Sequence, residues 1–191
     1  MSPQDADGPP DDGAGRVARM VSSFKSVNRD LGLLEAGGDA MRVSEPIPIY
    51  GIGQPQSNSQ PSNLLDRVHR VGWRYLVFQG NDMHVADIKP DAGDRPELIR
   101  SPKLVQQIVK TGRLAEAVAD YSHYNIRLLD LSILGQSVLW LAGKDSGDRD
   151  RFFALSPEAR ELDASDFLKQ MSTAERQKAA AFASSSDESG G

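Results

Sequence analysis

The sequence predicts an α+β fold, with helices before, between and after the strands of a mostly antiparallel sheet of about five strands. Three observations carry this. A helical stripe precedes the first strands, extended segments come in pairs around short polar turns, and serine-proline steps of the kind that open helices stand between the pairs. A helix followed by a hairpin does not supply the regular crossovers that a parallel sheet needs.

Composition sets the outer limits. A chain of 191 residues can bury one core without staples, and it has no cysteine, which excludes thiolate catalysis, cysteine-bound zinc and iron–sulfur clusters. The reading is a single domain over residues 16–183, between an acidic disordered tail at 1–15 and a second disordered tail at 184–191. Six acids, Asp5, Asp7, Asp11, Asp12, Asp187 and Glu188, lie in those tails; setting them aside turns the formal charge of −5 into +1. A near-neutral body lacks the basic stripe that nucleic acid requires, so nucleic acid is disfavoured as a partner. No apolar run is long enough to cross a bilayer, and the acidic, Gly/Pro-rich start lacks the basic and apolar regions of a signal peptide. The expectation is a soluble, cytoplasmic protein without membrane contact.

Val17, Met20, Phe24, Val27 and Leu31 are spaced three and four apart and form one helical stripe, expected to dock on its own domain; the alternative is a helix offered to a partner. "EPIPIYGIG" follows. Pro46 and Pro48 cannot donate to a ladder, which limits it to an edge strand. Residues 54–63, "QPQSNSQPSN", form a polar loop with no charged side chain, expected to be an insertion. A helix is expected around 63–71, with Leu64, Val68 and Val71 inward and Ser62 or Asn63 as cap. The strands "WRYLVFQ" and "MHVADIK" come next. Ser101 and Pro102 open a second helix that buries Leu104, Ile108, Ala115 and Val118, with Gly112 placed to bend or split it. "NIRLLDLSIL", "SVLWLAG" and "RFFAL" are strands, the last two joined by the hairpin turn "GKDSGDRD". Helices are then expected from Ser156-Pro157, from Asp163, and from a capping box of Ser172 and Glu175.

The stretch richest in chemistry is "QGNDMHVADIKPD", which holds Asp82, His84, Asp87 and Lys89. Taking Gly80-Asn81 as a two-residue hairpin loop fixes the register. Arg74 then faces Asp87, Val77 faces His84 and Gln79 faces Asp82. Opposed residues share a face, so Asp87 and Lys89 lie on one face while Asp82 and His84 lie on the other. Both faces of the pair are apolar. Asp87 therefore reads as half of a cross-strand ion pair with Arg74, and His84 as a packed histidine.

"DIK" at 87–89 resembles the (D/E)-x-K signature of restriction-endonuclease-like nucleases. The resemblance implies that Asp87 holds Mg²⁺ while Lys89 stabilises the developing phosphate charge, with Asp82 as the second acid. Asp82 departs from that pattern, because pleat alternation sends it to the opposite face. Other constellations dissolve on inspection. Asp120, Ser122 and His123 are sequence neighbours and read as a cap and chain reversal. Asp145, Asp148 and Asp150 stand among basic residues without a closing bidentate glutamate, and read as a solvated turn. "GIGQPQSN" lacks a third glycine, Trp73 and Trp140 read as core, and Arg67, Arg70 and Arg74 as a solvated face. The expected function is a non-catalytic protein-binding module of adaptor or chaperone-like type, homodimeric, with no cofactor or metal and with its small-molecule partner unspecified. The sheet with terminal helices and "LDASDFLKQM" is similar to small acidic secretion chaperones, which implies a protein partner bound along a dimer surface. The alternative is the Mg-dependent nuclease using Asp87 and Lys89.

Overall fold

The computed structural model describes residues 8–30, 40–53, 64–90, 95–99, 101–131 and 135–187. Its three helices are α1 (Gly13–Asp30), α2 (Pro102–Val118) and α3 (Ala164–Asp187). Its strands are β1 (Arg42–Val43), β2 (Ile47–Ile52), β3 (Val68–Gln79), β4 (Asp82–Ile88), β5 (Pro96–Ile99), β6 (Tyr124–Leu131), β7 (Gln136–Gly143), β8 (Arg151–Ala154) and β9 (Arg160–Leu162). The fold is α+β with a mostly antiparallel sheet, as expected, but the sheet has nine strands rather than about five. The unexpected ones are β1, β5 and β9, of 2, 4 and 3 residues, too short to show any alternation. β2 is interior to the strand order despite Pro48, which corrects its reading as an edge.

The chain divides into two compact units, Met1–Tyr50 with Arg70–Lys110, and Gly51–His69 with Thr111–Gly191. In the first, β3 and β4 form a hairpin whose register runs from Trp73↔Ile88 to Gln79↔Asp82, as the sequence predicts. Gly80 takes φ 56° in its turn, a conformation that costs glycine little. β5 pairs with the far side of β4, and β1 pairs with β3 at Arg42↔Phe78 and Val43↔Val77. Helix α1 closes one face of this sheet. Val17 and Val21 are buried in a cluster with Tyr75, Val77, Ala86 and Ile88, each valine contributing about 1.5–3 kcal/mol relative to exposure. Val17 and Met20 of the stripe thus dock on their own unit. α1 starts at Gly13, inside the stretch expected to be a tail, and a Cβ there would lie 2.1 Å from the Tyr75 hydroxyl, so glycine lets the helix seat closely on that ring. The side chains of Phe24 and Val27, Leu31, the loop 54–63, and residues 1–7 and 188–191 lie outside the described residues.

In the second unit the helix expected around 63–71 is replaced by one 3₁₀ turn, Leu64–Arg67, and β3 begins at Val68. The β-branched and aromatic residues Val68, Val71, Trp73 and Tyr75 suit an extended chain. The Gly53 N–H donates to the Arg67 carbonyl at 3.0 Å and anchors the start of β3. β6, β7, β8 and β9 form an antiparallel meander with Leu139↔Phe153 and Trp140↔Phe152 in register. α3 covers the face that carries Phe152, its Phe167 ring lying 4.8 Å from the Phe152 ring and Met171 fully buried. On the other face Arg151 forks onto Glu161 at 2.7 Å, donates to the Val118 carbonyl at the end of α2, and lies over the Phe153 ring.

Helix ends follow sequence chemistry where the cap is free to act. Ser101 Oγ accepts from the Leu104 N–H at 3.3 Å and Asp163 Oδ1 from the Asp166 N–H at 2.9 Å. Gly112 does not split α2, and Val118 is 45% exposed instead of buried. No helix starts at Ser156-Pro157, where the chain turns and forms β9 against β8. The Ser172–Glu175 box is not used either, since α3 is unbroken and the Ser172 hydroxyl donates to the Leu168 carbonyl at 3.0 Å.

Candidate functional site

The β3–β4 hairpin holds Asp82, His84 and Asp87, with Lys89 directly after it. Arg74 and Asp87 meet across the ladder in a two-point contact, Nε to Oδ1 at 2.8 Å and Nη2 to Oδ2 at 2.7 Å. Their side chains are 8% and 5% exposed. Both carboxylate oxygens are engaged by one guanidinium, the forked geometry that lets a desolvated pair hold. Asp82 is exposed at the turn opposite Gln79, and His84 is half-buried opposite Val77. Lys89 is exposed just past the end of β4. Asp82 and Asp87 occupy opposite faces of the hairpin, so the structure does not bring the three candidate residues together.

One acid escapes sequence reasoning. Glu97 of β5 lies opposite Asp87 on the other side of β4, giving a row Glu97, Asp87, Arg74 across three strands. Only recognition of β5 could have found it, and four residues carry too little pattern. Among the described residues no group of three or more His, Asp or Glu side chains is arranged to hold a metal ion.

The remaining constellations serve the backbone. Asp120 caps the 3₁₀ turn Tyr121–His123, and the Ser122 N–H that donates to it at 2.9 Å holds its carboxyl below the usual carboxylate range. His123 Nδ1 lies 3.7 Å from Asp148 Oδ2 and is largely exposed. Asp150 Oδ1 accepts from the Gly143 N–H at 3.0 Å, and the Asp148 N–H donates to the Asp145 carbonyl at 3.0 Å, so these acids shape the β7–β8 turn. The three arginines do not form one surface: Arg74 is buried, Arg70 lies over the Trp73 ring at 4.9 Å, and Arg67 donates to the Gly53 carbonyl. Trp140 is core, with the Arg127 guanidinium on one side and Phe152 on the other. No helix among the described residues is long and apolar enough to cross a membrane.

Comparison with known proteins returns nothing: no family model, curated protein or solved structure matches this chain.

Proposed function

We propose that this chain is a non-catalytic protein-binding module of adaptor or chaperone-like type that works as a homodimer. The observation that carries the reading is the closed Arg74–Asp87 pair. A carboxylate with both oxygens on a buried guanidinium already has its charge met by a fixed cation, and the second acid of the nuclease pattern, Asp82, points away from it. Among the described residues the outermost strands, β5 and β9, have one strand neighbour each and offer backbone groups to which a partner segment could add. The competing reading, a Mg-dependent nuclease, is favoured by Asp87 and Lys89 lying two apart at a strand end.

Thermal melting with and without millimolar Mg²⁺ or Mn²⁺ separates the two. A metal site filled to a hundred times its dissociation constant stabilises by about 2.7 kcal/mol, and Asp82→Asn, an exposed position, would remove that shift in a nuclease. The binding module gives no shift in either protein. Light scattering on the eluting peak tests the dimer, whose mass would be twice 20.8 kDa; a monomer at high concentration removes that part of the reading.

A further inference from the structure

The β7–β8 turn contains one polar atom that the fold leaves unanswered. Asp148 Oδ2 is buried, and no hydrogen bond from the described residues reaches it. A buried carboxylate oxygen without a donor is costly, so something must hold it in place or come to meet it. The backbone holds it. A Cβ on Gly143 would lie 2.3 Å from the Asp148 carbonyl oxygen, so the turn folds back directly onto that glycine, and the Asp148 N–H is fixed on the Asp145 carbonyl at 3.0 Å. The base of the turn is closed twice more, by the Gly143 N–H on Asp150 Oδ1 at 3.0 Å and by the Lys144 N–H on the His123 carbonyl at 3.0 Å. The Asp148 carboxylate is thereby delivered to the 3₁₀ turn Tyr121–His123.

What meets it is His123. Its Nδ1 lies 3.7 Å from Oδ2, beyond hydrogen-bond length, and its side chain is 57% exposed, open to proton exchange with water. The other charged groups beside the ring are committed elsewhere: Lys144 Nζ donates to the Ser122 carbonyl at 2.8 Å, and Asp120 accepts from the Ser122 N–H. A neutral imidazole has one N–H, which water accepts as readily as Asp148 does; an imidazolium has two, and a charge. We infer that His123 and Asp148 form a proton-operated clasp, in which the imidazolium closes onto Oδ2 and fastens the β7–β8 turn to the 3₁₀ turn, and the neutral ring lets go. Oδ2 favours the charged ring, so the clasp is closed at the acid end of the range in which histidine titrates, about pH 5 to 8, and opens as pH rises through it. The contacts of Gly143 and Lys144 keep the base of the turn shut throughout; the tip around Asp148 is what moves. The clasp is independent of the protein-binding role proposed above.

Two readouts on the full chain test the clasp. Arg149 is exposed in the turn, so trypsin cleavage after it follows the population of the open tip. His123→Gln keeps a polar side chain but takes no proton, and should be cleaved about threefold faster than the parent protein at pH 6 and at about the same rate at pH 8. In ¹H–¹⁵N spectra the amides of Gly147 and Asp148 should shift between about pH 5 and 8 in the parent protein, and much less in His123→Gln or Asp148→Asn. The other two histidines, His69 and His84, stand in β3 and β4 and are present in every variant, so they cannot produce the difference. A cleavage ratio that is the same at pH 6 and pH 8, or turn amides that titrate equally with and without His123, overturns the inference. If His123→Gln does not fold, the spectra of Asp148→Asn decide.

Discussion

Asp87 gives both oxygens to one guanidinium, and almost nothing of either side chain reaches water. Removing one partner therefore differs in kind from removing a surface ion pair. Asp87→Ala should cost about 3–5 kcal/mol, because it strands the Arg74 charge in a place water cannot reach, while an exposed pair is worth about 0–1 kcal/mol. The sequence alone places the pair near the end of an apolar face and assigns it the small cross-strand value; burial supplies the larger figure. Chemical denaturation of Asp87→Ala checks it, and a loss under 1 kcal/mol would mean that water enters the pair. Arg74→Lys should also be destabilised, since an ammonium cannot reproduce the two parallel contacts.

At the scale of elements, two glycines, one in a helix and one in a strand, have opposite roles. Gly112 lies inside the continuous α2, and a Cβ there would meet nothing within 4 Å. Gly112→Ala should stabilise by about 0.5–1 kcal/mol, since it removes backbone freedom from the unfolded chain without a clash. Gly72 lies in β3, and a Cβ there would come 2.6 Å from the Ile88 carbonyl oxygen. Gly72→Ala should destabilise by about 1–3 kcal/mol, and the two midpoints in a denaturation series should move in opposite directions. The same contrast explains what was legible. The β3–β4 register follows from one glycine and strict alternation, and α1 from five spaced apolar residues. The helix expected around 63–71 fails although Leu64, Val68 and Val71 are spaced for a helical stripe, because Val71, Trp73 and Tyr75 alternate along a strand that begins at Val68. β5 and β9 are held by the ladders of β4 and β8, a tertiary cause with no local sign. The Ser172–Glu175 spacing is a real capping pattern that a longer helix overrides.

For the molecule as a whole, the candidate site was legible in position but not in state: Asp87, Lys89 and Asp82 are found where the alternation puts them, while the burial that closes Asp87 has no sign in its own stretch of sequence. The division into two units was not legible at all. It passes between Tyr50 and Gly51 within β2, between His69 and Arg70 within β3, and between Lys110 and Thr111 within α2, where composition does not change. Each unit contributes one tyrosine whose hydroxyl burial pushes up, Tyr75 beneath α1 and Tyr121, which donates to the Gly112 carbonyl. Both contribute to the protein's response to alkali. Burial disfavours the phenolate, so the folded-state values lie above the unfolded value of about 10. Between the two, the folded state binds more protons than the unfolded one. The stabilisation is complete below about pH 10 and is lost as pH rises through the raised values. Thermal midpoints should stay level up to about pH 9 and fall beyond pH 10. Tyr75→Phe keeps the ring that packs with Val17 and Val21 but removes the titrating group, so its alkaline fall should be shallower than that of the parent protein. An identical fall in Tyr75→Phe and Tyr121→Phe would place the alkaline sensitivity elsewhere, and would mean that neither hydroxyl is shielded from water as tightly as its packing requires.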